Sequence, residues 1–128
     1  MQVLVATALG CVVVELENGD AELVDDDPPV AGAADVSLPL VVAAAQVGAR
    51  IAAVVNRRPP IMLSDDAGQT WREAGGGLPA GTAVAIHPEE PDRLLYASES
   101  RLFLSEDGGR FWRALEPELI GITALAFS

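Results

Sequence analysis

Two octapeptides concentrate the residues able to do chemistry. Ser64, Asp66, Gly68, Thr70 and Trp71 stand in SDDAGQTW (64–71). Ser105, Asp107, Gly109 and Trp112 stand in SEDGGRFW (105–112), 41 positions further on. A serine beside a carboxylate could be a nucleophile beside a base. The same residues also do simpler work at a turn. The carboxylate accepts hydrogen bonds from the turn's own N–H groups, and the serine hydroxyl adds another. Glycine supplies backbone freedom, and the trailing tryptophan buries a large surface. Turn chemistry accounts for all these residues, so they are read as structural.

The other reactive side chains stand apart. Nineteen acidic residues make a pair of facing carboxyls, as a glycosidase requires, possible by chance alone. The only tyrosine, Tyr96, lies in the apolar run LLYAS and is expected to pack. The lone histidine, His87, sits in IHPEEPD and reads as a turn residue without partners for base chemistry. No His/Cys cluster suggests zinc. VDDDPP (24–29) reads as a solvated loop, and GGG (75–77) lacks the lysine of a phosphate loop. The sequence nominates no catalytic residue, no metal ligand and no cofactor.

The whole chain sets further bounds. It has 128 residues, half of them hydrophobic, with a net charge of −11 and a pI near 4.2. That is one folded unit whose acidic surface repels nucleic acid and anionic membranes. All eight basic residues are arginine, which with abundant Ala, Gly, Pro and Asp resembles a high-GC bacterial coding bias. Cys11 is the only cysteine, so no intrachain disulfide forms. MQVLVATALGC lacks the positive start of a signal peptide and reads as a strand. No apolar run is long enough to span a bilayer as a helix. The expected location is cytoplasmic.

Short β-branched runs dominate, separated by Gly, Pro and Asp clusters. The Ala-rich stretch 41–55 is the one place that tempts a helix; Gly48 and its flanking valines favour strand–turn–strand. Aligning the octapeptides aligns their flanks as well. Each follows an apolar strand, a turn, a second strand, a turn and a third strand, and each leads into a fourth. Four strands per ~40 residues is the blade of a β-propeller. The expected fold is therefore all-β, with about three antiparallel four-stranded blades. Blade 1 spans roughly 1–27 plus a strand at 122–128, blade 2 roughly 38–76, and blade 3 roughly 80–117.

The S-x-D-x-G-x-T-W pattern resembles the Asp-box, or BNR, repeat of sialidases, xyloglucan-cleaving glycosidases, sortilin-type receptors and a photosystem II assembly factor. Ser64, Asp66, Gly68, Thr70 and Trp71 match it fully. Ser105, Asp107, Gly109 and Trp112 match it, with Phe111 in the threonine position. The resemblance implies a propeller and places the boxes away from any active site. It does not extend to a sialidase's arginine triad and tyrosine nucleophile. The turns opposite the boxes carry Asn56, Arg57, Arg58, Glu99 and Arg101, a possible ligand face for a carboxylate or acidic partner.

The expected function is a noncatalytic binding or assembly scaffold. The runner-up is a carbohydrate-active, glycosidase-like enzyme or a lectin formed by an oligomer, so the ligand expected is a protein or a glycan. Three blades leave an open arc with two apolar faces in water. The sequence therefore predicts a head-to-tail homodimer, closing a six-bladed ring of a size the Asp-box family uses. In that ring, ITALAFS of each chain supplies the innermost strand of the partner's first blade.

Overall fold

Short runs rich in apolar residues build twelve strands in the computed structural model, which describes residues 1–30, 36 and 38–127. Residues 31–35 and 37, between the expected blades 1 and 2, and Ser128, ending the expected last strand, lie outside the described residues. The strands are β1 (Gln2–Thr7), β2 (Gly10–Glu15), β3 (Ala21–Val24), β4 (Val41–Val47), β5 (Arg50–Val55) and β6 (Ile61–Ser64). They continue as β7 (Arg72–Ala74), β8 (Ala83–Ile86), β9 (Leu94–Ala97), β10 (Arg101–Ser105), β11 (Arg113–Glu118) and β12 (Ala124–Phe127).

All pairings are antiparallel, and they form three four-stranded sheets. Sheet 1 runs β12-β1-β2-β3, sheet 2 runs β4-β5-β6-β7, and sheet 3 runs β8-β9-β10-β11. These are propeller blades. The Ala-rich stretch forms β4, a turn at Gly48 with φ 58°, and β5. Ile51 to Val55 are all buried, because both faces of β5 are covered. That explains why its sequence lacks the polar alternation of a half-exposed strand.

The sheets stack in the order 2–3–1. Side chains alternate across a strand, so β8 points Val84 and Ile86 toward sheet 2 and Ala83 and Ala85 toward sheet 1. One cluster accordingly joins Ala52, Val54, Ile61 and Leu63 of sheet 2 to Val84, Ile86, Leu94 and Tyr96 of sheet 3. Another joins Leu95, Ala97, Leu102 and Leu104 of sheet 3 to Val3, Val5, Val12 and Val14 of sheet 1.

Two expectations are corrected here. The last strand is not given to a partner copy: β12 pairs with β1 of its own chain, through Val3↔Phe127, Leu4↔Ala126, Val5↔Leu125 and Ala6↔Ala124. Nor is the outer face of sheet 2 bare. Ala44, Ala53, Val55 and Met62 form a third buried cluster, with Val36, Leu38 and Trp71 packed over it. Val36 and Leu38 come from the connection between sheets 1 and 2, and these two residues act as a strap over the end of the stack.

Candidate functional site

The two octapeptides fold as turns with largely matching hydrogen bonds after the third strand of sheets 2 and 3. In the first, the Ser64 hydroxyl donates to Asp66 Oδ1 at 2.8 Å and accepts from the Gly68 N–H at 2.8 Å. Asp66 also accepts from the Thr70 N–H at 2.9 Å and the Thr70 hydroxyl at 2.5 Å. These donors hold the Asp66 carboxyl down to about 2, the Thr70 hydroxyl contributing most. In the second, Ser105 donates to Asp107 at 2.9 Å and accepts from the Gly109 N–H at 2.9 Å. Asp107 accepts from the Phe111 and Arg110 N–H groups at 3.0 and 3.1 Å, which likewise lowers its pKa. Phe111 supplies only its backbone, so its ring is free to stand 79% exposed.

The trailing tryptophans differ in surroundings. Trp112 packs in the cluster between sheets 2 and 3, 6.1 Å from Tyr96 between ring centroids, and its Nε1–H donates to the Gly109 carbonyl at 3.0 Å. Trp71, at the corresponding position, packs on the strap-covered end of sheet 2.

The expected ligand face does not form one cluster of free charges. Asn56, Arg57 and Arg58 are exposed in the turn between β5 and β6. Arg57 donates to the Met62 sulfur at 3.2 Å. Arg101 begins β10, where its guanidinium donates to the Leu115 carbonyl at 3.3 Å and lies 3.6 Å from Glu118. Glu99 is exposed, and its backbone carbonyl accepts from the Ile122 N–H at 2.9 Å. Arg101 is thus committed to its own sheet, and no bond joins it to Arg57 or Arg58 among the described residues.

Sequence reasoning missed an arginine series on the box face. Arg50, at the start of β5, pairs with Asp65 and crosses to sheet 3, donating to the Pro91 carbonyl at 2.9 Å and Asp92 at 3.2 Å. Arg93, one residue before β9, lies 3.2 Å from Glu90 and 3.5 Å from Glu106, and reaches sheet 1 at the Met1 sulfur, 3.2 Å away. Arg72 donates to the Gly108 carbonyl at 2.8 Å and Arg113 to the Leu16 carbonyl at 3.4 Å. The signal was present: register places Arg50 and Arg93 at equivalent positions, two residues before Ala52 and Leu95, which pair with Leu63 and Leu104.

Beside these arginines lies an open hollow of about 270 Å³ lined by Leu104, Glu106, Asp107, Phe111, Trp112 and Arg113. The remaining reactive groups are engaged or buried. His87 Nδ1 accepts the N–H groups of Glu89 and Glu90 at 3.1 Å each, and the ring packs 5.2 Å from Phe127. The buried Tyr96 hydroxyl donates to the Pro79 carbonyl at 2.7 Å, and burial pushes its pKa up to about 12. Cys11 is buried, which raises its thiol pKa. Among the described residues no group of three or more His, Cys, Asp or Glu is arranged to hold a metal ion, and no helix is long and apolar enough to cross a membrane.

No protein-family profile matches the chain, and the curated proteins give no match. Among solved structures, the chain resembles the crystal structure of a Niastella koreensis GH74 enzyme. The TM-score is 0.55 and the identity 18%, over 96% of this chain. This chain spans 19% of the length of that enzyme. At that identity the likeness concerns the fold alone, and it agrees with propeller-type sheets.

Proposed function

We propose that this chain is a noncatalytic β-propeller scaffold for binding or assembly, with Asp-box turns as structural pins. One observation carries the reading: the side chains best suited to chemistry are engaged in bonds internal to the fold. Ser64 and Ser105 hold glycine N–H groups, Asp66 and Asp107 hold their turns, His87 holds the 87–90 turn, and Tyr96 holds Pro79. A nucleophile or base must give up such a bond to act, which costs about 1–3 kcal/mol when the partner is buried. A panel of chromogenic glycosides tests the reading. No turnover is expected, and turnover abolished by substituting one carboxylate would overturn it.

A second reading, a carbohydrate-active or carbohydrate-binding protein, draws on the hollow beside Phe111. An exposed aromatic ring next to Trp112, with Glu106 and Arg113 at the rim, has the make-up of a sugar-stacking surface. The GH74 enzyme that shares this fold lends that reading its class. A glycan array separates the two: specific binding lost in Phe111→Ala favours the second reading, and an empty array favours the first.

A further inference from the structure

We infer that the outer face of sheet 1 docks onto the outer face of sheet 2 of a second copy in place of the residues that cover it in the single chain, so that two chains close a ring of six sheets. This deepens the scaffold reading and rests on it.

The inference starts from positions that repeat. The forward side of a sheet is the side facing the next sheet in the order 2–3–1, and the rear side is the opposite one. In sheet 2 the forward positions of the second and third strands hold Ala52, Val54, Ile61 and Leu63, which meet the rear of sheet 3. In sheet 3 they hold Leu95, Ala97, Leu102 and Leu104, which meet the rear of sheet 1. Cross-strand pairs align Ala52↔Leu63 with Leu95↔Leu104 and with Leu4↔Val13. The forward positions of sheet 1 are therefore Leu4, Ala6, Cys11 and Val13. All four are apolar, Ala6 and Cys11 are buried and Leu4 and Val13 half-buried, and among the described residues no sheet lies beyond them. The rear positions of sheet 2 hold the apolar Ile51, Ala53, Val55 and Met62, all buried in the single chain, beside Ser64 of the turn.

The rear of sheet 2 also keeps the seat that the rear of sheet 3 uses. At Gly109 the absence of a side chain lets the Leu63 methyl of the preceding sheet come in, since a β-carbon there would stand 2.6 Å from it. Gly68 is the matching glycine, with φ +92° against +90°. A β-carbon on Gly68 would meet only Trp71 and Ile51 of its own sheet, at 3.6 and 3.7 Å. Val13 of a second copy, at Leu63's position, is the residue to enter that seat. The two faces are unlike and lie on one chain, so a two-fold pair of copies satisfies both at once and leaves none over. Val36 and Leu38 of the strap cover part of the rear face in the single chain, so docking displaces them.

Light scattering across a dilution series tests the ring. Twice the 13.3 kDa chain mass is expected at high concentration, falling toward the monomer on dilution. Val13→Glu places a charge on the half-buried forward face and is expected to weaken association at least about tenfold while the circular dichroism spectrum stays native. Should that variant misfold, Val36→Ser with Leu38→Ser gives the opposite reading, because loosening the strap is expected to strengthen association. A native chain that is monomeric at every concentration overturns the ring, as does a dimer unmoved by Val13→Glu or weakened by the strap variant. The glycoside panel keeps the two ideas separate: a monomer without turnover removes the ring and leaves the scaffold, whereas a dimer with turnover removes the scaffold and leaves the ring.

Discussion

Gly109 and Leu63 touch across two sheets so closely that a β-carbon on the glycine would stand 2.6 Å from the leucine δ1-methyl. Gly109 also sits at φ +90°, a conformation that side chains oppose. Gly109→Ala is therefore expected to destabilise by roughly 2–4 kcal/mol, combining left-handed strain with overpacking. Gly68→Ala meets the strain without the collision, and about 1–2 kcal/mol is expected. Urea unfolding checks the difference. In a Leu63→Ala background, the extra cost at Gly109 should shrink toward that at Gly68.

Ala67 makes the complementary case. It holds φ 59°, while Gly108 fills the same place in the second turn at φ 75°. Ala67→Gly should relieve left-handed strain and stabilise by about 1 kcal/mol, after the flexibility glycine adds to the unfolded chain is subtracted. A fall in the urea midpoint would show that the turn does not bear this strain.

The pH dependence follows from the box carboxylates. Asp66 is lowered from 3.8 to about 2 in the folded chain, and Asp107 is lowered as well. A depressed folded pKa means that the unfolded chain binds the proton more readily. The contribution from Asp66 is thus fully present above about 4 and is lost as pH falls toward 2. Asp66→Asn with Asp107→Asn should lower stability at neutral pH and flatten its acid decline. Urea midpoints at several pH values measure both; an unchanged acid slope would show that other groups drive it.

The fold was legible because the box is local. Ser64, Asp66, Gly68 and Thr70 bond within seven residues, so turn chemistry prints the blade spacing directly on the chain. The interactions between sheets were less legible. Arg50 finds Asp92 across 42 positions, and only the strand register reveals that Arg93 repeats its place. The owner of β12 was not legible at all, since Ala124–Phe127 would pair with β1 by the same alternation in either chain. The strap was hidden for a related reason: Val36 and Leu38 lie in a connection with no periodicity. Arg57 and Arg101 share a side of the molecule, as the hairpin count requires. Their side chains are then taken by Met62, Leu115 and Glu118, which charge and turn position alone do not specify.

Tyr96 gives the last prediction. Its ring fills the core between sheets 2 and 3, and its hydroxyl ties sheet 3 to Pro79 in the connection from sheet 2. Tyr96→Phe keeps the packing and leaves the carbonyl unpaired, so a loss of about 1 kcal/mol is expected. Gly81→Ala is harsher, because a β-carbon there would stand 2.2 Å from the tyrosine oxygen. The ring or the connection must move, and a loss of about 3 kcal/mol is expected. The hydroxyl also reports directly. Its folded pKa, pushed to about 12 from 10.0 by burial, lies above the unfolded value, so folding favours the protonated form. That contribution is fully present below about 10 and disappears as pH rises through 12. Since Tyr96 is the only tyrosine, ultraviolet titration follows it alone. Tyrosinate absorbance should stay low past pH 10 and rise sharply where circular dichroism shows unfolding. A smooth titration centred at 10 in the folded chain would place the hydroxyl in water, which contradicts the Pro79 bond.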